Sequence, residues 1–417
     1  MSVKKTITQV WRSEAASLIG GLARIVRDVG LAEDLAQDAF LIALTTWPRT
    51  GIPDNPGGWL MATAKNRALN ALKRSRLGEQ AAGQLSRELD THVPLPELEA
   101  ALEAQVDRDV NDEVLRLMFI ACHPVLSQEA RVTLTLKLLA GLSNDEIARA
   151  FLSTETTIQQ RVVRAKNTLR EAKIPFEVPQ GEELSPRLAS VLEAIYLVFN
   201  EGYTATKGDD LMRPALCAEA MRLGEILATV APAEPEVHAL LALMRLQSSR
   251  AAARVDDAGE PVLLEKQDRS KWDAMSITTG LASLSRAEEL SVEARPYRLQ
   301  ARIAAVHARA KTPAQTDWKE IAATYKALAR QLPSPVNELN RAVALAKAEG
   351  PEAGLKVIDE LVRAGELERY HLLHAARAEL LEQLGRRDEA RAEFEKAASL
   401  TENSRQRARL LKRSQGL

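Results

Sequence analysis

Wherever the apolar residues of this chain can be phased, they recur every three or four positions: Leu31, Leu35, Ala39, Ile42 and Ala43 in one stretch, Ile158, Val162, Ala165 and Leu169 in another. That period belongs to helices, since strands alternate at every second residue. Composition agrees, because aromatic residues are only 4% while hydrophobic content is 46%, carried by aliphatic residues that favour helices. We expect an all-α chain, and 417 residues are enough for two or three packed domains.

Several function classes are excluded early. The longest apolar runs, such as Ala194 to Phe199, are far too short to cross a bilayer, and the N-terminal residues lack an apolar leader core, so we expect a cytoplasmic protein with no membrane partner. Cys122 and Cys217 are isolated and read as small core residues. The histidines, among them His92, His123, His238 and His307, form no HxxxH pattern and join no CxxC pair, so no metal is expected. Neither GxxxxGK[ST] nor GxSxG occurs, and we expect neither cofactor nor enzyme activity.

The net charge of -1 conceals segregation. From Trp59 to Arg76 there are five basic residues and no acidic one; from Glu79 to Glu113, ten acidic against two basic; from Thr156 to Lys173, five basic against one acidic. The whole-chain sum therefore hides a basic, acidic, basic order along the first 173 residues.

The first basic segment lies in a helical block over residues 10–76. GLAEDLAQDAFLIALTTW reads as an amphipathic helix with Glu33, Asp34, Gln37 and Asp38 opposite its apolar side. Residues 48–57 carry Pro48, Pro53, Pro56, Gly51 and Gly57 and read as a loop. A helix then starts at Gly58 or Trp59, packing Leu60, Met61, Ala64, Ala68, Ala71 and Leu72 and presenting Asn66, Asn70, Lys73 and Arg74. This stripe is either a solvated face or a base reader, because asparagine sets a donor and an acceptor side by side.

These segments resemble region 2 of the extracytoplasmic-function sigma factors. The resemblance implies that Asp34, Gln37, Asp38 and Phe40 contact core RNA polymerase at its largest-subunit clamp helices, and that Lys65, Asn66, Arg67, Asn70, Lys73 and Arg74 contact the melted -10 element. It also implies that the loop over 48–57 captures a flipped base.

In LSNDEIARAFLSTETTIQQRVVRAKNTLREAK, Ser143 and Glu146 form a capping box and Thr154 can cap a second helix. Packing Ile158, Val162, Ala165 and Leu169 turns Thr156, Gln160, Val163 and Arg164 outward, as in a helix-turn-helix or an ordinary helical hairpin. In the first case Thr156, Gln159, Gln160 and Val163 face bases while Arg161, Arg164 and Lys166 hold phosphates. The segment is similar to sigma region 4, which binds the -35 element and the polymerase flap. It departs from the family pattern at Leu152, where glycine is common, and at Ser153, where an apolar residue is common.

Between the blocks, the acidic connector is a soluble linker or, as the resemblance implies, a segment threading the polymerase's positive channels. Pro175, Pro179, Gly181 and Pro186 mark the next boundary. Beyond them an apolar helix over 188–199 leads to Gly202 and a polar turn, and Asn200, Glu201, Tyr203 and Asp209 are either a ligand or partner site or caps and turn residues. From Tyr297 onward, helix pairs fall at 297–310 with 317–331, 335–348 with 351–364 and 369–384 with 387–400, with Gly350 and Gly385 at turns and a polar cap over 402–413. Their offset of about 34–38 residues is close to the tetratricopeptide period, giving an α-solenoid whose concave face suits a protein partner.

The expected division is 1–76 (region 2 bundle), 77–108 (linker), 109–174 (region 4 helix-turn-helix), 180–295 (helical extension) and 296–417 (tetratricopeptide-like repeats). The function it implies is promoter recognition as a polymerase subunit, with the extension modulating activity or recruiting a partner. The alternative is a helix-turn-helix regulator with a tetratricopeptide sensor that acts without polymerase.

Overall fold

Helical periodicity is realised throughout the described residues, which in the computed structural model are 3–81, 110–151, 153–204, 212–256 and 261–417, with backbone alone for 3–6, 69–81 and 110–112. The chain divides into two compact units, residues 1–197 and 198–417. Among the described residues Val255 and Pro261 form an isolated β bridge.

The first unit is organised around α1 (Val3–Val26), which packs on α2 (Val29–Thr50), α3 (Pro56–Ala81) and α4 (Val110–Ala121). Its first half buries Ile7, Trp11 and Ala15 along one side, and from Leu18 to Ala23 every residue is buried. Further on come α5 (Gln128–Leu134), running into a π turn over Thr135–Leu139, then α6 (Asn144–Ala150) and α7 (Glu155–Glu171).

The segment around Pro48 differs from expectation. Helix α2 continues through Pro48 to Thr50, and α3 opens at Pro56, so the loop is only Gly51 to Asn55. Proline interrupts a helix by removing an N–H and crowding the carbonyl four residues back. In the last turn that loss is small, and Trp47 beside it is 1% exposed, with its ring edge-on to Trp59 at 5.2 Å. Pro56 fits because it occupies the first turn, and Asn55 caps the helix by accepting from the Gly58 N–H at 2.9 Å.

The boundary between units falls inside α8 (Leu184–Tyr203), which is longer than the 188–199 expected. In the first unit, Ser190 of α8 donates to the Cys122 carbonyl. The second unit contains α9 (Pro214–Val230), α10 (Pro235–Ser248), α11 (Ala274–Leu290) and α12 (Pro296–Arg309). Helix α10 packs against α9, α11 and α12, and so buries Val237 and every residue from Ala239 to Met244. Arg298, 1% exposed, donates to the Ala287, Ser291 and Val292 carbonyls and so closes the end of α11.

Helix α13 (Trp318–Gln331) pairs with α12, α14 (Pro335–Glu349) with α15 (Pro351–Arg363), and α16 (His371–Gln383) with α17 (Arg387–Leu400). The pairs begin at Pro296, Pro335 and His371, steps of 39 and 36 residues. Gly350 and Gly385 take φ of +112° and +77° at the turns, where a side chain would be strained. Helix α18 (Ser404–Gln415) packs on α17 and ends the unit.

Candidate nucleic-acid interface

The helix-turn-helix is built by local caps. Ser143 accepts from the Glu146 N–H at 3.1 Å and Glu146 accepts from the Ser143 N–H at 2.9 Å, the reciprocal box that starts α6. Thr154 accepts from the Thr157 N–H at 3.1 Å and starts α7. The turn closes with the Ser153 N–H on the Ala148 carbonyl, so an apolar residue at 153 is not needed for that bond; Leu152 lies outside the described residues.

Ile158, Val162, Ala165 and Leu169 are buried, and Thr156, Gln159, Gln160, Val163 and Arg164 are exposed. Val163 is 50% exposed, an apolar surface on an otherwise polar face. The other two basic residues assigned to this helix are occupied. Arg161 pairs with Glu129 at 2.7 Å, and Lys166 pairs with Glu33 while standing 3.4 Å from Asp34.

On α3, Asn66 and Arg67 are exposed, and Arg67 donates to Asp38 at 3.0 Å. Lys65 is half-buried, and burial followed by the nearby Arg24 charge lowers its pKa. Asn70, Lys73 and Arg74 lie on the same helix, with side chains outside the described residues.

The α2 face holds a correction. Glu33, placed with the exposed acidic residues in the sequence, is 2% exposed. It is tolerated there because Lys137 stands 3.6 Å away, Lys166 pairs with it and Gln37 donates to it. Asp34 is exposed, and Phe40 packs on Trp11 with ring centroids 4.7 Å apart.

The basic side of α7 is therefore clasped to α2. Arg170 donates to Asp28 at 2.7 Å, while Asp28 also caps α2 through the Leu31 N–H at 2.8 Å. Burial alone would raise the Asp28 pKa, but the Arg170 hydrogen bond and backbone N–H groups hold it below the ordinary value. A second contact joins α1 to the helix-turn-helix: Arg12 pairs with Glu146 at 2.5 Å and the Trp11 indole donates to the Gly141 carbonyl at 3.2 Å. Glu146 is also held low, with burial outweighed by the Ser143 N–H and Arg12.

Sequence reasoning missed Trp11, Arg12, Asp28, Lys137 and Arg170 in this arrangement. A signal existed for two of them: Arg170 follows Lys166 by four residues, on the same side of α7, and Asp28 precedes Leu31 by a capping interval.

In the second unit, Asn200, Glu201 and Tyr203 sit in the last turn of α8, not beyond it, and Asp209 lies outside the described residues. Glu201 pairs with Arg213, and Tyr203 stacks on Phe199 at 5.6 Å. Cys122 is buried, and burial raises its pKa to about 11; Cys217 is half-buried and is likewise raised to about 11. Among the described residues no group of three or more His, Cys, Asp or Glu is placed to hold a metal, and no helix is long and apolar enough to cross a membrane.

Comparison with known proteins matches three segments of the chain. Residues 11–77 match sigma-70 region 2, residues 116–169 match sigma-70 region 4, and residues 187–288 match a family of unknown function, DUF6596. The chain is 44% identical over 393 residues to the uncharacterized protein R00370 of Rhizobium meliloti, covering 94% of this chain and 90% of that one. It is 26% identical over 182 residues to the probable ECF RNA polymerase sigma factor SigI of Mycobacterium tuberculosis, covering 44% of this chain and 60% of that protein. No solved structure gives a significant match. With both regions matched in order, on helices whose caps and packing support them, the chain belongs to the extracytoplasmic-function group of the sigma-70 family and carries a helical C-terminal extension behind region 4.

Proposed function

We propose that this protein binds core RNA polymerase and selects promoters, with residues 1–76 engaging core and the -10 element, residues 109–174 the -35 element, and residues 77–108 linking them. The observation that carries this reading is the α7 surface: Thr156, Gln159, Gln160, Val163 and Arg164 stay exposed on a helix whose opposite side is packed and whose start is capped. That surface pairs side-chain amides with a valine, chemistry suited to an adenine edge beside a thymine methyl. Asn66 and Arg67 supply a second exposed polar surface on α3. Asp34, Gln37, Asp38 and Phe40 serve the polymerase clamp, and the extension over 180–295 and 296–417 tunes the activity or recruits a protein partner on its concave face.

The clasp gives this function a closed resting state. Lys166, assigned to phosphate, faces Asp34, assigned to polymerase, at 3.4 Å. Each must exchange its partner before promoter binding, so core binding at α2 and release of α7 favour one another.

The test mixes the full-length protein with sigma-free core polymerase and a promoter fragment from its own genome. Comigration with core and promoter opening are expected. Sequence-specific duplex binding without core association would favour the polymerase-independent regulator instead.

A further inference from the structure

Three arginines of the second unit meet around two aromatic rings. Arg250 and Arg254 flank the turn after α10, Arg269 opens the turn before α11, Tyr203 ends α8, and Trp272 follows Arg269 closely. The Arg254 guanidinium lies 3.7 Å from the Tyr203 ring centroid, Arg269 lies 4.8 Å from that of Trp272, and Arg250 lies 5.9 Å from both. Among the described residues, no Asp or Glu forms an ion pair with any of the three.

Part of this charge has a structural use. Arg254 donates to the Tyr203 carbonyl and the Thr204 hydroxyl, at the end of α8. Arg269 donates to the His307 and Ala310 carbonyls, at the end of α12, and to Thr316. Helix C-termini suit cations. Arg250 has no such partner: among the described residues its guanidinium donates only to the Tyr203 phenol, at 2.9 Å.

The same cluster contains unused polar atoms. Among the described residues the Trp272 indole nitrogen, in a residue only 7% exposed, lacks a hydrogen-bond partner, as do Arg269 Nε and His307 Nδ1. Buried donors without acceptors are costly and uncommon. The electrostatic environment agrees: burial first, and then Arg250 and Arg269, lower the His307 pKa to about 4.

We propose that these residues form a binding site for a small oxyanion, a carboxylate or phosphate group held by Arg250 with help from Arg254 and the Trp272 indole. The site lies mostly within the segment matched by the family of unknown function, and it does not depend on the sigma reading. With Trp272 buried, such a site suits a small molecule over a nucleic-acid backbone.

The test is thermal unfolding of the full-length protein in inorganic phosphate, in citrate and in sodium chloride at matched ionic strength. A saturable rise in midpoint is expected with phosphate or citrate and not with chloride. A response to citrate alone assigns a carboxylate, and one to phosphate alone a phosphate. Arg250→Gln should weaken the apparent affinity about ten- to hundredfold, the loss typical of a charged hydrogen bond. Arg250→Lys, which keeps the charge but not the fork, should weaken it less, and it decides the case if the glutamine variant does not fold. Equal stabilisation by all three salts, or unchanged affinity in the lysine and glutamine variants, overturns the proposal.

Discussion

Replacing Glu33 by glutamine keeps the side chain's shape and removes the buried charge that Lys137 and Lys166 share. The Glu33 side chain is 2% exposed, and those of Lys137 and Lys166 are 12% and 14% exposed. Breaking a pair this deep by removing one partner costs about 3–5 kcal/mol. Asp34 remains near Lys166, which places the expected cost at the lower end, about 3 kcal/mol. That corresponds to about a 150-fold shift from clasped to open α7. The neighbouring Asp28 pair makes the comparison, because Arg170 is 61% exposed and solvent screens the interaction. Asp28→Asn should cost only about 0.2–1 kcal/mol through that pair, in addition to any change in its cap on α2. The assay is amide hydrogen exchange on the full chain, reading α7 against α1 and α4. In Glu33→Gln, α7 amides should exchange about 100-fold faster while α1 and α4 change little, and in Asp28→Asn the α7 effect should be a few-fold. Equal acceleration of α7 by both substitutions, or no acceleration by Glu33→Gln, would refute the view that a buried charge holds the clasp.

The same contacts respond to acid. Asp28 and Glu146 have lowered pKa values in the folded chain, so their contribution is complete above the ordinary carboxylate values of about 4 and fades as pH falls through the lowered ones. Protection of α7 amides should therefore fall as pH drops below about 4, and Asp28→Asn should flatten that loss. On the proposed DNA-reading face of α7, Gln160→Ala is expected to weaken discrimination at one -35 position. Arg164→Ala should weaken binding across all sequences and reduce the salt slope by about 0.9, both read by titration against promoter variants at several salt concentrations. Gly141 has φ of +65°, and an added Cβ would lie 3.2 Å from the Trp11 indole nitrogen. Gly141→Ala should cost about 1–2 kcal/mol in chemical denaturation, and a stability equal to the natural chain's would show that the turn relaxes without strain.

The second unit shows how periodic patterns translate into packing. The expected helix pairs over 297–400 form close to their expected ends, because each depends on an apolar stripe and a turn residue within about 35 residues. Helix α10 gave no comparable signal. It is apolar on nearly all sides, and such a helix tells from its own residues only that it is surrounded.

Local features of the interface were legible for the same reason. Ser143 with Glu146, Thr154 with Thr157, and the buried set Ile158, Val162, Ala165 and Leu169 involve residues within a few turns of one another, where helix geometry alone determines who meets whom. The fate of charge was not legible. Glu33 has the sequence context of an exposed acid, yet it is buried because Lys137 and Lys166, more than a hundred residues away, arrive beside it. Pro48 marks a break in any local reading, yet the helix carries through it where the buried Trp47 anchors the turn. The sequence by itself determined where helices start, which sides of them are apolar and which family the chain resembles. Only the tertiary structure decided which charges pair with one another, because an ion pair depends on distance in space, and that distance is set by the packing of α7 against α2.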